Sequence, residues 1–197
     1  MKTVVPSMTL LIWASLSATA DDTFQISYAA NLNAGDSFVN FTNSGATVAN
    51  GTSQNLCANM YTFDPQEELI SCCGCMVTPN GLDSVTISSL ISNPLTPAIP
   101  PDAVIKIVAT SDPICNPSSV TTLAHGLLSW STTLHQNTST TGITYSLTEV
   151  PFSNATLSAE ELMHVTSTCG FIQANGTGFG ICKGCLGGGL GASTSGK

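Results

Sequence analysis

The residues of this chain best equipped for chemistry are its eight cysteines: Cys57, Cys72, Cys73, Cys75, Cys115, Cys169, Cys182 and Cys185. Two sets are closely spaced, Cys72-Cys73-Gly74-Cys75 and Cys182-Lys183-Gly184-Cys185. Between them they could offer four thiolates to a metal ion, and the second has the C-x-x-C spacing of thiol exchange. An even number of cysteines in an exported chain reads first as a disulfide framework, because zinc thiolate sites are mostly structural devices of reducing compartments. Thiol exchange usually places the first cysteine at a helix N-terminus, where the thiolate is stabilised. Here Gly176, Gly178, Gly180 and Gly187 to Gly189 flank the pair, and they predict turns. All eight cysteines are therefore expected in disulfides, with no resident metal or cofactor. A metal-binding or thiol-redox protein using Cys72, Cys73, Cys75, Cys182 and Cys185 is the alternative. If residues 69–77 are extended, side chains alternate, so Cys73 and Cys75 share one face and Cys72 lies on the other. Cys72 and Cys73 then need different partners.

Other reactive groups carry less. His125, His135 and His164 stand in no metal or catalytic motif and read as solvated or capped side chains. Asp64, Glu67 and Glu68 are the closest acidic cluster. Adjacent carboxylates do not make the facing pair that glycoside hydrolysis needs, and the cluster lacks the spacing of a known calcium loop, so an acidic turn is expected. Gly176-Thr177-Gly178-Phe179-Gly180 follows a predicted helix rather than joining a strand to a helix, which makes it a poor phosphate cradle. Asn-x-Ser/Thr sequons at Asn40, Asn50, Asn137, Asn154 and Asn175 matter only in a host that glycosylates them. No catalytic residue is assigned.

The elements that must position the cysteines are mostly strands. Phe24, Ile26 and Tyr28 alternate with polar neighbours, and Ser37 to Thr42 alternates with Phe38 and Asn40 on one side and Val39 and Phe41 on the other, a strand expected to be covered on both faces. Further strands are expected over 56–63, 69–77 and 103–109, with 127–135 and 143–150 paired around a polar 137–142 connection. Asn43 to Gln54 reads as a loop, Val85 to Ile91 as a strand or short helical piece, and Val120 to Ala124 as either helix or strand. Ser158-Ala159-Glu160-Glu161 is a capping box, and Leu162, Val165, Cys169 and Ile172 recur at helical spacing until Asn175-Gly176. Cys169 is thus expected on the buried face, as half of a disulfide. The predicted fold is mainly β, a Greek-key-like sandwich with one helix in the C-terminal region, stapled by disulfides.

Lys2, the apolar run to Leu16 and the small triplet Ala18-Thr19-Ala20 have the layout of a signal peptide. Residues 1–20 are expected to be removed, leaving one domain over 21–186 and a flexible Gly/Ser-rich tail over 187–197. No later stretch predicts stable membrane insertion. The chain carries a formal charge of −8 with four lysines and no arginine, so clustered cations for nucleic acid or anionic lipid are missing. Charged residues make up only 8%, against about 25% in a typical domain. Such a weakly repulsive, β-rich surface favours association through strand edges.

The run Tyr61-Thr62-Phe63-Asp64-Pro65-Gln66-Glu67-Glu68 leading to Cys72-Cys73-Gly74-Cys75, the passage Ile91 to Pro100, and Phe171 to Cys185 resemble a group of exported, cysteine-rich acidobacterial proteins. The resemblance implies export and a bacterial source, and no activity, ligand or catalytic residue. The expectation is a secreted or periplasmic, non-enzymatic structural or adhesive protein of the cell surface or matrix. Its partners would be further copies of itself or other surface proteins.

Overall fold

The computed structural model describes residues 22–33, 35–91 and 100–174. The signal-peptide segment, most of the proline-rich passage, Cys182, Cys185, the Asn175 sequon and the glycine-rich end lie outside them.

Apolar and β-branched runs place about half of the described residues in strands: β1 (Phe24–Ala29), β2 (Phe38–Asn43), β3 (Val48–Ala49), β4 (Thr52–Ser53), β5 (Leu56–Phe63), β6 (Leu69–Val77), β7 (Leu82–Thr86), β8 (Ala103–Thr110), β9 (Leu127–Ser139), β10 (Gly142–Pro151) and β11 (Ser153–Asn154). Two helices accompany them, α1 (Ile87–Ile91) and α2 (Ala159–Ala174). One sheet has the order β11-β1-β8-β5-β6 and the other β10-β9-β2-β7, while β3 and β4 form a separate hairpin. Every pairing between these strands is antiparallel. β5 and β6 form a hairpin, β7 crosses to the other sheet, and β8 returns beside β5, which is the Greek-key-like connection expected from the sequence.

The two sheets face one another over an apolar core. Its centre holds Met60 and Ile107 from one sheet and Val39, Phe41 and Leu127 from the other, all fully buried. Burying side chains of this size stabilises by about 1.5–3 kcal/mol each. Polar links also cross the core: the Gln25 amide donates to the Leu127 carbonyl at 2.6 Å. A third layer covers the opposite face of the five-stranded sheet, where α2 lays Val165 and Cys169 against Phe24, Tyr61, Phe63, Cys72 and Val108. The Ser158 hydroxyl caps α2 by accepting the Glu161 N–H at 3.0 Å. Lys106 joins this layer by pairing with Glu161 and lying 4.5 Å above the Phe63 ring.

Several local expectations are corrected. β2 is covered on one face only: Val39 and Phe41 are buried, whereas Phe38 is exposed, because the side of the four-stranded sheet away from the core has no second layer among the described residues. The passage expected as a loop over 43–54 contains the β3–β4 hairpin. Val85 belongs to β7 and Ile87 begins α1, so that stretch is strand and then helix. Residues 120–124 form no extended element, only a bridge between Leu123 and Thr110. The connection expected over 137–142 shrinks to the turn residues Thr140 and Thr141, since Ser139 already pairs with Gly142.

Candidate interaction surface

The cysteines settle first. β6 is extended, so its side chains alternate. Cys72 faces outward and is bonded to Cys169 of α2, whereas Cys73 and Cys75 face the core between the sheets. Cys57 of β5 is bonded to Cys115 in the loop after β8. That loop lies close against β6: a Cβ on Gly74 would stand 2.5 Å from the Cys115 carbonyl oxygen, so only glycine admits the approach. Cys73 and Cys75 are disulfide-bonded too, and no described cysteine is free. Sequence reasoning separated the faces of Cys72 and Cys73. It could not choose partners, because pairing across the fold leaves no local signal.

The remaining candidate groups serve turns and loops. The Asp64 carboxylate accepts the N–H groups of Gln66 and Glu68, both at 2.9 Å, and Glu67 adopts a left-handed φ of 66°. The acidic cluster is thus the connection between β5 and β6, as expected. Asp64 also borders a shallow hollow of about 80 Å³ with Tyr28 and Asp102. The Tyr28 phenol is pushed above its usual value by its hydrogen bond with the Asp102 carboxylate. A second hollow of about 110 Å³ lies among Leu32, Gly35, Asp36, Ser88 and Ile91. Both are well below the few hundred Å³ of an ordinary small-molecule site.

The histidines are dispersed. His125 Nδ1 lies 2.8 Å from Asp22 Oδ1, His135 Nε2 lies 3.0 Å from Thr148 Oγ1, and His164 is exposed on α2. No group of three His, Cys, Asp or Glu capable of holding a metal occurs among the described residues. Among the sequons, the Asn40 amide donates to Thr132 Oγ1 and accepts from Ser84 Oγ, while Asn50 sits in a turn with φ 53° and Asn137 is exposed on β9. The Tyr61 hydroxyl donates to the Pro117 carbonyl at 2.7 Å in the protein interior, and burial pushes its pKa up.

Asp112 is a site that sequence reading missed. It accepts the N–H groups of Thr121 and Thr122, both at 3.0 Å, together with the Thr121 hydroxyl, and so closes the Cys115 loop on itself. Burial alone would raise its pKa, but the hydrogen bonds outweigh it and hold the carboxyl below the ordinary 3.8. A depressed folded-state pKa contributes stability that is present above the unfolded-state value and is lost as pH falls through the folded one. Acidification below about pH 3.8 should therefore weaken this loop. Asp112→Asn should cost about 1–3 kcal/mol at neutral pH and flatten the acid limb of the stability curve, as read by denaturant midpoints from pH 7 down to pH 2. An unchanged acid limb would remove Asp112 from the account.

The surface that is built from the sheet upward is the uncovered face of β7-β2-β9-β10. Antiparallel register puts side chains directly opposite one another on the same side of a sheet. Leu82 lies opposite Thr42, Thr42 opposite Leu128, Phe38 opposite Thr132, and Leu134 opposite Leu147. Ile143, Tyr145 and Leu147 extend the same face along β10 with 56%, 57% and 66% of their surface exposed. Trp130 lies between Asn40 and Pro151 on this face and is half-buried. The face carries one charge on β9 and β10, that of Glu149. Sequence alternation located these strands; it did not show that the second apolar face would stay open.

Comparison with protein-family models, with curated proteins and with solved structures finds no match to this chain.

Proposed function

We propose that this protein is a non-enzymatic structural or adhesive module that works outside the cytoplasm, at the cell surface or in the matrix, by offering a face of sheet to a partner. The observation that carries the reading is the apolar outer face of the four-stranded sheet, which ends in a strand, β10, with every residue exposed. Large exposed apolar side chains gathered on one face of a sheet are characteristic of association sites. Two further features support an extracytoplasmic setting: a signal-like sequence over residues 1–20 and a cross-linked cysteine framework. No helix among the described residues is long and apolar enough to cross a membrane.

The test is retention of the oxidised protein on surface or matrix material from its source cells. Native protein should co-sediment, and Phe38→Asp with Leu128→Asp, which place charge on the face, should reduce retention about tenfold or more. Native protein that never associates with such material would sink the proposal. Thiol titration under denaturing conditions addresses the metal or redox alternative: no free thiol is expected, and reduced sulfurs around a bound ion would replace this reading.

A further inference from the structure

The sheet edges are not equivalent. β11 closes one sheet with two residues, β7 has five and runs directly into α1, and β6 is buried over most of its length. β10 is ten residues long and exposed throughout. Beyond Thr132, β9 no longer has β2 beside it; the Leu134 N–H still donates to Ser37 Oγ at 3.3 Å, and past it residues 135–139 and 142–146 form a two-stranded ribbon. Such a ribbon is marginal in water by itself. Natural edges are commonly blunted by lysine, proline or a bulge. β10 has no lysine, its register with β9 is unbroken, and its single proline is its last residue.

We propose that β10 pairs antiparallel with β10 of a second copy of this chain, across a two-fold axis at Tyr145. This rests on the surface-association reading above and names its partner. With the axis there, Ile143 stands opposite Leu147 of the second copy, Tyr145 opposite Tyr145, and Thr144 opposite Ser146. The apolar and hydroxyl rows each meet their own kind. Registers shifted towards Pro151 are worse, and a shift the other way, to an axis at Thr144, leaves Leu147 opposite Thr141. An axis at Ser146 sets Ile143 against Glu149, and one at Leu147 sets Tyr145 against Glu149. The Tyr145 axis places Glu149 opposite Thr141 and holds the two Glu149 carboxylates roughly 27 Å apart along the strands, beyond the screening length of about 8 Å. Outward-pointing backbone groups over this overlap supply on the order of ten hydrogen bonds, which is the number of a standard interface. The two four-stranded sheets then join into one, and the apolar face runs on across the axis.

Sedimentation of the full oxidised chain over a concentration series should show a reversible monomer–dimer equilibrium. Tyr145→Lys sets two ammonium groups face to face and should raise the dimer dissociation constant about tenfold or more, with circular dichroism unchanged because the site is exposed. Tyr145→Cys should give a cross-linked dimer on mild oxidation, whereas Glu149→Cys should not. A monomer at every concentration, a dimer indifferent to Tyr145→Lys, or equal cross-linking at both positions would overturn the pairing. A monomer that still binds surface material through Phe38 and Leu128 overturns only the pairing. A dimer that binds no such material overturns the adhesive reading and leaves the pairing intact.

Discussion

Replacing Cys72 and Cys169 together by alanine is expected to lower the unfolding free energy by about 2–5 kcal/mol. The bond spans 97 residues of sequence, so its loss returns much conformational freedom to the unfolded chain. It is also the one mapped disulfide between α2 and the five-stranded sheet among the described residues. Without it, α2 is held by Val165, Ile172, the Ser118–Gln173 hydrogen bond and the Lys106–Glu161 pair, and a partly exposed ion pair contributes about 1 kcal/mol at most. Amide exchange in α2 should therefore accelerate well before that of β5 and β8. Equal protection of α2 in the variant and the native protein would show that packing alone seats the helix.

Phe41→Ala is expected to cost about 3–5 kcal/mol, while Phe38→Ala, three residues away on the same strand, should change stability by no more than about 0.5 kcal/mol. Phe41 is fully buried between the sheets and leaves a cavity when truncated, whereas Phe38 is 41% exposed on the open face. The contrast is the thermodynamic mark of a sheet covered on one side. Denaturant midpoints measure it directly. If the two variants lost comparable stability, something would have to cover the outer face in solution, and the adhesive proposal would lose its surface.

Much of the framework was legible in the residues. Strand-length apolar runs located β5, β6 and β8, and the alternation of side chains in an extended strand assigned Cys72 and Cys73 to opposite faces before any partner was known. The capping box at Ser158 and the spacing of Val165, Cys169 and Ile172 defined α2 and turned Cys169 inward. What escaped has a common physical origin. Alternation reports that a face is apolar; it does not report whether another layer reaches it. Phe38 was accordingly expected to be covered, and Ile143, Tyr145 and Leu147 looked like any half-buried strand. Asp112 escaped because its partners, Thr121 and Thr122, approach only when the loop closes. The adjacency of β8 to both β1 and β5 is likewise a property of the assembled sheet, with no trace in either strand alone.

The two mapped disulfides interlock, since Cys57–Cys115 encloses Cys72 while Cys72–Cys169 encloses Cys115. A pull applied between Cys57 and Cys169 therefore follows the backbone from Cys57 to Cys72 and then passes through sulfur. That path holds 72 − 57 = 15 residues and can lengthen to about 50 Å. β9 and β10 lie between Cys115 and Cys169, in the branch that this path bypasses, so the exposed edge of β10 keeps its shape while Cys57 and Cys169 are drawn apart.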